Sequence, residues 1–467
     1  AVMAVEGAAA NDGVAPGSPT GRPRRDESRQ PGRQHEQFHP RSPMLHEESD
    51  MKYNRPHATA AWGTMAKDWE AGIDYPRMVR ERFRRAQDPV KAAGLGAVLC
   101  FNVDNVRYVT GTHIGEWVRD KFDRYALCPR DGEPYLWDPA PPAKRISSPW
   151  IADRVGAPIS TMQGALPPSI GAEKDFARQI RKMLAHYGIE KEPIGIDLLE
   201  LPMLRALEAE GIEVVDGQQA MLDAREVKTR DEIECLKVAA SMVDATYYDI
   251  CRAIRPGARE NELVAIAHDR LFRLGSERVE CVNSVAGPRG TPHSHTFSDR
   301  IIQPGDMIYL DIMHSFNGYH TCYYRTFVCG EPNRHQIEAY ELASKWISAS
   351  IDAIRPGVTL DEVASVWPAA GEFGYDNEDE AFLLQYGHGI GLSLWERPIL
   401  SRRFTGSSTV LKEGMVFAVE TWKGAADGSG AARIEEEVVV TKDGCQVITN
   451  FPSDRLISCG LPRCDVF

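Results

Sequence analysis

The sequence predicts a small α/β N-terminal domain followed by a larger α+β domain built from a duplicated unit, and three observations carry that fold class. The phrase Ala253-Ile254-Arg255-Pro256-Gly257 returns one hundred residues later as Ala353-Ile354-Arg355-Pro356-Gly357, each time between helical patterns. Each copy is followed by alternating apolar runs of hairpin character. Before Gln219, short apolar runs alternate with helical stretches, the pattern of a layered α/β domain.

In chain order, residues 1–65 are rich in Gly, Pro, Ser, Arg and Gln and lack apolar periodicity, so a disordered tail is expected there. Residues 66–222 form the first domain and 223–467 the second. Ala97–Phe101 reads as a buried strand, and Tyr125–Cys128 with Tyr135–Trp137 as a hairpin around Arg130-Asp131-Gly132-Glu133. A helix over Phe176–His186, a strand Ile194–Asp197, a helix Leu201–Glu210 and a strand Ile212–Val215 complete the unit. The second domain opens with a long helix from Asp231, where Asp231, Glu232 and Glu234 suit the positive end of the helix dipole. A further helix runs through Glu262 and Ala267. The second copy places helices at Gln336–Ile354 and Leu360–Trp367.

Composition narrows the function. With 43% hydrophobic and 26% charged residues in 467, the chain buries a sizeable core, and no stretch has the length of an apolar membrane span. A net charge of −13 excludes electrostatic nucleic-acid binding as the default. Ten cysteines without a C-x-x-C pair argue for reduced thiols and a cytoplasmic protein rather than a disulfide scaffold or zinc knuckle, and the N-terminus lacks the apolar run of a signal peptide.

Two hairpins gather the chemistry. In Met307–Phe327 a turn at Asn317-Gly318 makes Asp311 and Cys322 diagonal neighbours, and a turn one residue earlier makes them direct partners; both put them on one face. In the second hairpin, Met415–Lys423 with Arg433–Val440, a turn centred on Asp427-Gly428 sets Glu420 opposite Glu435. Two carboxylates about 5 Å apart on apolar strands require a cation, a shared proton or donors. Glu435 begins a three-glutamate run, by itself the mark of a solvated face, whereas Glu420 follows Met415-Val416-Phe417-Ala418-Val419 and has no such reading. His388 lies in Gly387-His388-Gly389-Ile390-Gly391, where glycines let backbone close around an imidazole. His293 and His295 sit on a loop before the first hairpin and could shuttle protons.

These residues resemble the pita-bread superfamily of creatinase, prolidase, aminopeptidase P and methionine aminopeptidase. Asp311 fills the first metal-ligand position, Cys322 falls eleven residues on where a bridging Asp stands, and Tyr324-Arg325-Thr326, Gly387-His388-Gly389, Gly414-Met415-Val416 with Glu420, and Arg433-Ile434-Glu435 follow in family order. The resemblance spans about residues 70–460 and implies a pita-bread C-terminal domain. It departs at Cys322 and at Trp395, which stands where the peptidases carry a second His; that argues against peptidase chemistry. The strand Gly318–Thr326 is similar to creatinase, which has lost its metal ligands, while Gly287-Pro288-Arg289, Leu204–Ala209 and Trp137-Asp138 resemble the dimethylsulfoniopropionate lyases.

The resemblance implies Asp311, Cys322, His388, Glu420 and Glu435 as metal-ligand positions for Mn, Fe, Co or Zn. Without the bridging Asp, one divalent ion at most is expected, held by His388, Glu420 and Glu435, and a metal-free site requires one carboxyl to stay protonated. The expected reaction is hydrolysis of a C–N bond in a small amino-acid-like or cationic acid: Glu420 or Glu435 activates a water, and His388, His293 or His295 passes the proton. Trp395, Tyr386 and Tyr324 shape the pocket. Arg124 resembles a creatinase residue that reaches a substrate carboxylate across a homodimer interface. The alternatives are a lyase and a catalytically inactive binding module.

Overall fold

The computed structural model describes residues 73–115, 123–292, 294–404, 406 and 409–461. The expected tail over 1–65 lies outside the described residues. Residues 97–216 contribute a six-stranded mixed sheet in the order Val155–Gly156, Tyr135–Trp137, Tyr125–Pro129, Ala97–Cys100, Ile194–Ile196, Val214–Asp216. Ala97–Cys100 runs antiparallel to Tyr125–Pro129 and parallel to Ile194–Ile196. Phe101, Tyr125, Trp137 and Phe176 close one of its faces, with Phe101 and Phe176 ring centroids each within 6 Å of Tyr125.

Helix Arg230–Ala253 starts at a capping box in which Thr229 and Glu232 satisfy each other's backbone N–H. The acidic residues at this end serve specific partners rather than the dipole alone. Asp231 is buried and pairs with Arg77 at 2.7 Å, and Glu232 also accepts from the Tyr319 hydroxyl at 3.0 Å.

The duplication is visible bond by bond. Gly257, at φ 89°, donates to Ile302 O at 3.0 Å, and Ile302 N donates back to Ala258 O at 2.8 Å. One hundred residues on, Gly357, at φ 88°, donates to Leu411 O at 3.0 Å, and Leu411 N donates to Val358 O at 2.9 Å. Arg-Pro-Gly is thus a turn that staples the end of each first helix to a chain running back along it. The second helix is Glu260–Leu274 in the first copy but only Leu360–Ala364 in the second. It stops short of Trp367 because Pro368 disfavours helical geometry in the residue before it.

Two sheets follow. One holds Ile457–Cys459, Tyr319–Cys329, Met307–Phe316 and Arg278–Ala286 in that order, and the other Glu396–Leu400, Tyr386–Gly389, Val416–Gly424, Ala431–Val440 and Cys445–Val447. They meet where Tyr319–Cys329 lies beside Ala431–Val440. There Arg433 N donates to Thr326 Oγ1 at 2.8 Å and Thr326 Oγ1 donates to Arg433 O at 2.7 Å. Among the described residues no helix is long and apolar enough to cross a membrane.

Candidate active site

The site lies where these two sheets meet, and strand register decides its membership. Asn317 and Gly318 adopt φ 50° and 84°, a two-residue turn of the kind that glycine tolerates, which pairs Asp311 with Tyr324 and Met313 with Cys322. Asp311 and Cys322 are therefore diagonal neighbours, with Sγ 3.5 Å from Oδ1. In the second hairpin Glu420 pairs with Glu435, as the turn position requires, and Tyr386 pairs with Glu420 on its other side. His388 lies opposite Ala418. Its flanking glycines serve close approach: a Cβ at Gly387 would meet Ala418 O at 2.7 Å, and one at Gly391 would meet Glu396 Oε2 at 2.7 Å.

His388 is fully buried, and its Nδ1 lies 3.2 Å from Gly389 O. A carbonyl only accepts, so Nδ1 carries the proton and Nε2 presents a bare lone pair. Burial holds this imidazole down to about 4, neutral at pH 7. Nε2 has no hydrogen-bond partner and stands 3.8 Å from Glu435 and 4.0 Å from Glu420. Glu435 Oε1 is likewise buried and unpartnered, and its Oε2 is 3.9 Å from Cys322 Sγ. One ligand atom each from Cys322, His388 and Glu435 fall within 4.8 Å of one another. An unpartnered imidazole nitrogen and carboxylate oxygen converging with a thiol that donates only to carboxylates fit a single divalent cation, and the combination of sulfur with nitrogen favours Zn or Fe.

Asp311 and Glu420 lie beside this triad with their oxygens otherwise engaged. Asp311 accepts from Asn283 Nδ2 at 3.0 Å and from Tyr324. Glu420 forms an ion pair with Arg433, itself fully buried, whose guanidinium also stacks over the Tyr324 ring at 4.6 Å and donates to Leu384 O at 2.8 Å. Burial is the largest influence on these acids. It raises Asp311, lifts Glu420 to about 7 against the pull of Arg433, and pushes Glu435 well above the carboxylate range, with Glu420 and Asp311 adding repulsion. Cys322 is pushed up by burial and by the same carboxylates, so it is a thiol unless a cation displaces its proton.

The glutamate run is not a solvated face: Glu435, Glu436 and Glu437 are all buried. Arg325 reaches Glu436 at 2.9 Å, and Glu437 accepts from the Thr321 hydroxyl and from Cys322 N at 2.6 and 2.7 Å. Burial lifts Glu437 to about 8. Trp395 is 49% exposed, with its ring 5.6 Å from that of His388 and 5.8 Å from that of Tyr386. Glu396, next to it, is buried against Lys228 at 3.1 Å. His295 sits on an exposed loop, and partial desolvation of its ring, followed by the charge of Arg433, draws it down to about 4. His293 lies outside the described residues. Arg124 belongs to the six-stranded sheet region, where its guanidinium pairs with Asp138 at 2.5 Å. Nothing local in the sequence marks Asn283, whereas Arg433 shares a strand face with Glu435 by simple alternation.

The metallopeptidase family M24 model matches residues 234–442, which hold the whole of this constellation. The probable dipeptidase PepE of Mycobacterium tuberculosis is 32% identical over 259 residues, 55% of this chain and 67% of that one. The chain belongs to the M24 family. Other relatives of this M24 protein include the dimethylsulfoniopropionate lyase DddP of Roseovarius nubinhibens, 27% identical over 413 residues, 84% of this chain and 90% of the lyase. The Xaa-Pro dipeptidase of Pyrococcus furiosus is 32% identical over 229 residues, 49% of this chain and 64% of its own length. The crystal structure of dipeptidase PepE from Mycobacterium ulcerans superposes with a TM-score of 0.67 at 24% identity, covering 83% of this chain and 99% of that one. The fold is accordingly the pita-bread fold, and the relatives are hydrolases and lyases.

Proposed function

We propose that this M24 chain, read as domains 66–222 and 223–467, is a non-peptidase enzyme acting on a small cationic carboxylic acid, and that it cleaves a C–N bond hydrolytically. The observation that carries the reading is the aromatic wall beside the unpartnered His388 Nε2. Trp395 fills the position where a peptidase of this family would carry a second imidazole, and its ring closes on His388 and Tyr386. Such faces hold an alkylammonium group by cation–π attraction, about 0.5–2 kcal/mol per contact.

The residues divide the work by protonation state. Neutral His388 is able to accept a proton at Nε2 as a base or to hold a cation there. Burial and the neighbouring Glu420 and Asp311 push Glu435 well above the carboxylate range, which favours its protonated form in the absence of a cation, a proton it can supply to a leaving amine. Glu420, near 7, passes between forms at working pH, with Arg433 steadying its anion. A divalent cation at Cys322, His388 and Glu435 would supply Lewis acidity to an oxygen of water or substrate. Tyr324 and Tyr386 hydrogen-bond Asp311 and Glu420 and so flank the reacting groups, and in a homodimer Arg124 of the other subunit would meet the substrate carboxylate.

A second reading, elimination, is favoured by one observation. DddP aligns over 84% of this chain, including the N-terminal sheet, whereas the dipeptidase alignment spans 55%. Incubation with N-alkyl amino acids, sulfonium acids and Xaa-Pro dipeptides, with NMR detection in isotope-labelled water, separates the readings. Hydrolysis carries label into a product, and elimination yields an alkene. Faster turnover of Xaa-Pro dipeptides than of every cationic acid would sink the non-peptidase reading.

A further inference from the structure

Away from the site, two thiols are placed for chemistry that the M24 reaction does not use. Cys251 lies in the last turn of helix Arg230–Ala253, and Cys459 ends the strand Ile457–Cys459, 208 positions later. Their sulfurs are 3.3 Å apart. We propose that Cys251 and Cys459 form a reversible thiol-modification site that a low-molecular-weight disulfide of the glutathione class oxidises to an intramolecular disulfide.

The environment assigns each thiol a role. Cys251 is half-buried and reachable from solvent, while Cys459 is buried. A helix C-terminus works against a thiolate, yet the hydrogen bond shared with Cys459, in which a Cys251 thiolate would accept, favours the ionised form, and Arg252 adjoins it; together they bring the Cys251 thiol down to about 7. The hydrogen bond with Cys251, and after it burial, push Cys459 up, so it keeps its proton until the first step is complete. In that step the Cys251 thiolate attacks one sulfur of the small disulfide, forming a mixed disulfide and expelling one thiolate. Cys459 then loses its proton and attacks the Cys251 sulfur, expelling the second thiol. The protein loses two protons and two electrons, and the small disulfide takes them up to become two thiols.

Closing the sulfurs from 3.3 Å to the ~2.05 Å of a disulfide is a small movement within contacts already made. The cross-link would fasten the last strand, which pairs in parallel with Tyr319–Cys329, to the helix on which that sheet rests. Cys329 is the register partner of Cys459 and offers the competing connection.

The test treats the full chain with oxidised glutathione above neutral pH, denatures it, alkylates the remaining thiols and maps the peptides. The expected result is that two of the ten cysteines escape alkylation, on one peptide pair joining 251 to 459. Dithiothreitol restores both, and Cys251→Ser and Cys459→Ser each abolish the link. The oxidised wild type should also melt at a higher temperature than the reduced form. A stable glutathione adduct on Cys251 with Cys459 free, a 329–459 link, or two thiols that remain fully alkylatable would each overturn the proposal, and all three are read on the wild-type protein.

Discussion

Replacing Arg433 by Met tests the electrostatic logic of the site. The guanidinium is fully buried and has three partners: the Glu420 carboxylate, Leu384 O at 2.8 Å and the Tyr324 ring at 4.6 Å. Breaking a buried ion pair by removing one member costs about 3–5 kcal/mol. Glu420, however, has an escape, because burial already holds it near 7. Without Arg433 it takes up a proton and stays neutral to higher pH, so the variant binds more protons than the wild type and its stability falls more steeply as pH rises. Integrated between about pH 6 and about pH 8, the extra cost is about 1.4 kcal/mol. The assay is urea unfolding of chelator-treated protein at both pH values. Arg433→Met should lose about 3 kcal/mol or more at the higher pH, and adding Glu420→Gln should remove the additional pH dependence. An equal loss at both pH values, or a loss below about 1 kcal/mol at the higher one, would refute the assignment of Arg433 as the counter-charge of Glu420.

Three further outcomes are expected. His314 is fully buried between Ser276 Oγ at 3.0 Å and Ala239 O at 2.9 Å, and burial lowers it to about 4. The unfolded chain therefore binds the extra proton below about 6.5, so stability is lost as pH falls from there toward 4, by about 3 kcal/mol for this residue; unfolding curves of His314→Gln should show a correspondingly shallower acid slope. Cys322→Ser should lower retained Zn about tenfold or more in elemental analysis, whereas Cys322→Asp should shift retention toward Mn as the donor set hardens. Trp395→Ala should raise KM for a cationic substrate on the order of 3- to 30-fold with kcat little changed, and His388→Ala should abolish turnover; wild-type kcat/KM in both would overturn the placement of turnover at these residues.

Much of this arrangement is legible in the sequence because β-hairpins carry their own ruler. A turn at Asn317-Gly318 places Asp311 beside Cys322, and one centred on Asp427-Gly428 sets Glu420 against Glu435. The Arg-Pro-Gly repeat is equally readable, since a short turn between helices is a local feature. What escaped depends on partners remote in sequence. The glutamates 435–437 read as a solvated face, yet Arg325, Thr321 and Cys322 N come to them from more than one hundred residues away. Helix Tyr75–Ala92 was not foreseen: it contains Pro89, and its apolar stripe is interrupted by Arg82, which is buried because Tyr319 accepts from it at 3.0 Å. Arg433 stands in the Arg-Ile-Glu motif, but its weight comes from a pairing that only the adjoining strand supplies.

Charge balance links the departures at Cys322 and Arg433. Asp311, Glu420, Glu435 and Glu437 are all buried around one meeting of two sheets, and burial raises all four from their usual values. A fifth acid at position 322 would add another charge to be neutralised, whereas a thiol there remains neutral until a cation arrives. Arg433 already answers Glu420, so the demand left over is for about one divalent charge at Cys322, His388 and Glu435. A cation entering there displaces protons from Glu435 and Cys322, which ties its affinity to pH: binding strengthens as pH rises because fewer protons compete. The same competition makes the chelated protein a different acid from the loaded one. Glu435 carries its proton in the first and would hold the cation in the second, so the acid it offers to a leaving group in one form is withdrawn in the other, where Glu420, lifted to about 7, is the carboxyl left to carry a proton.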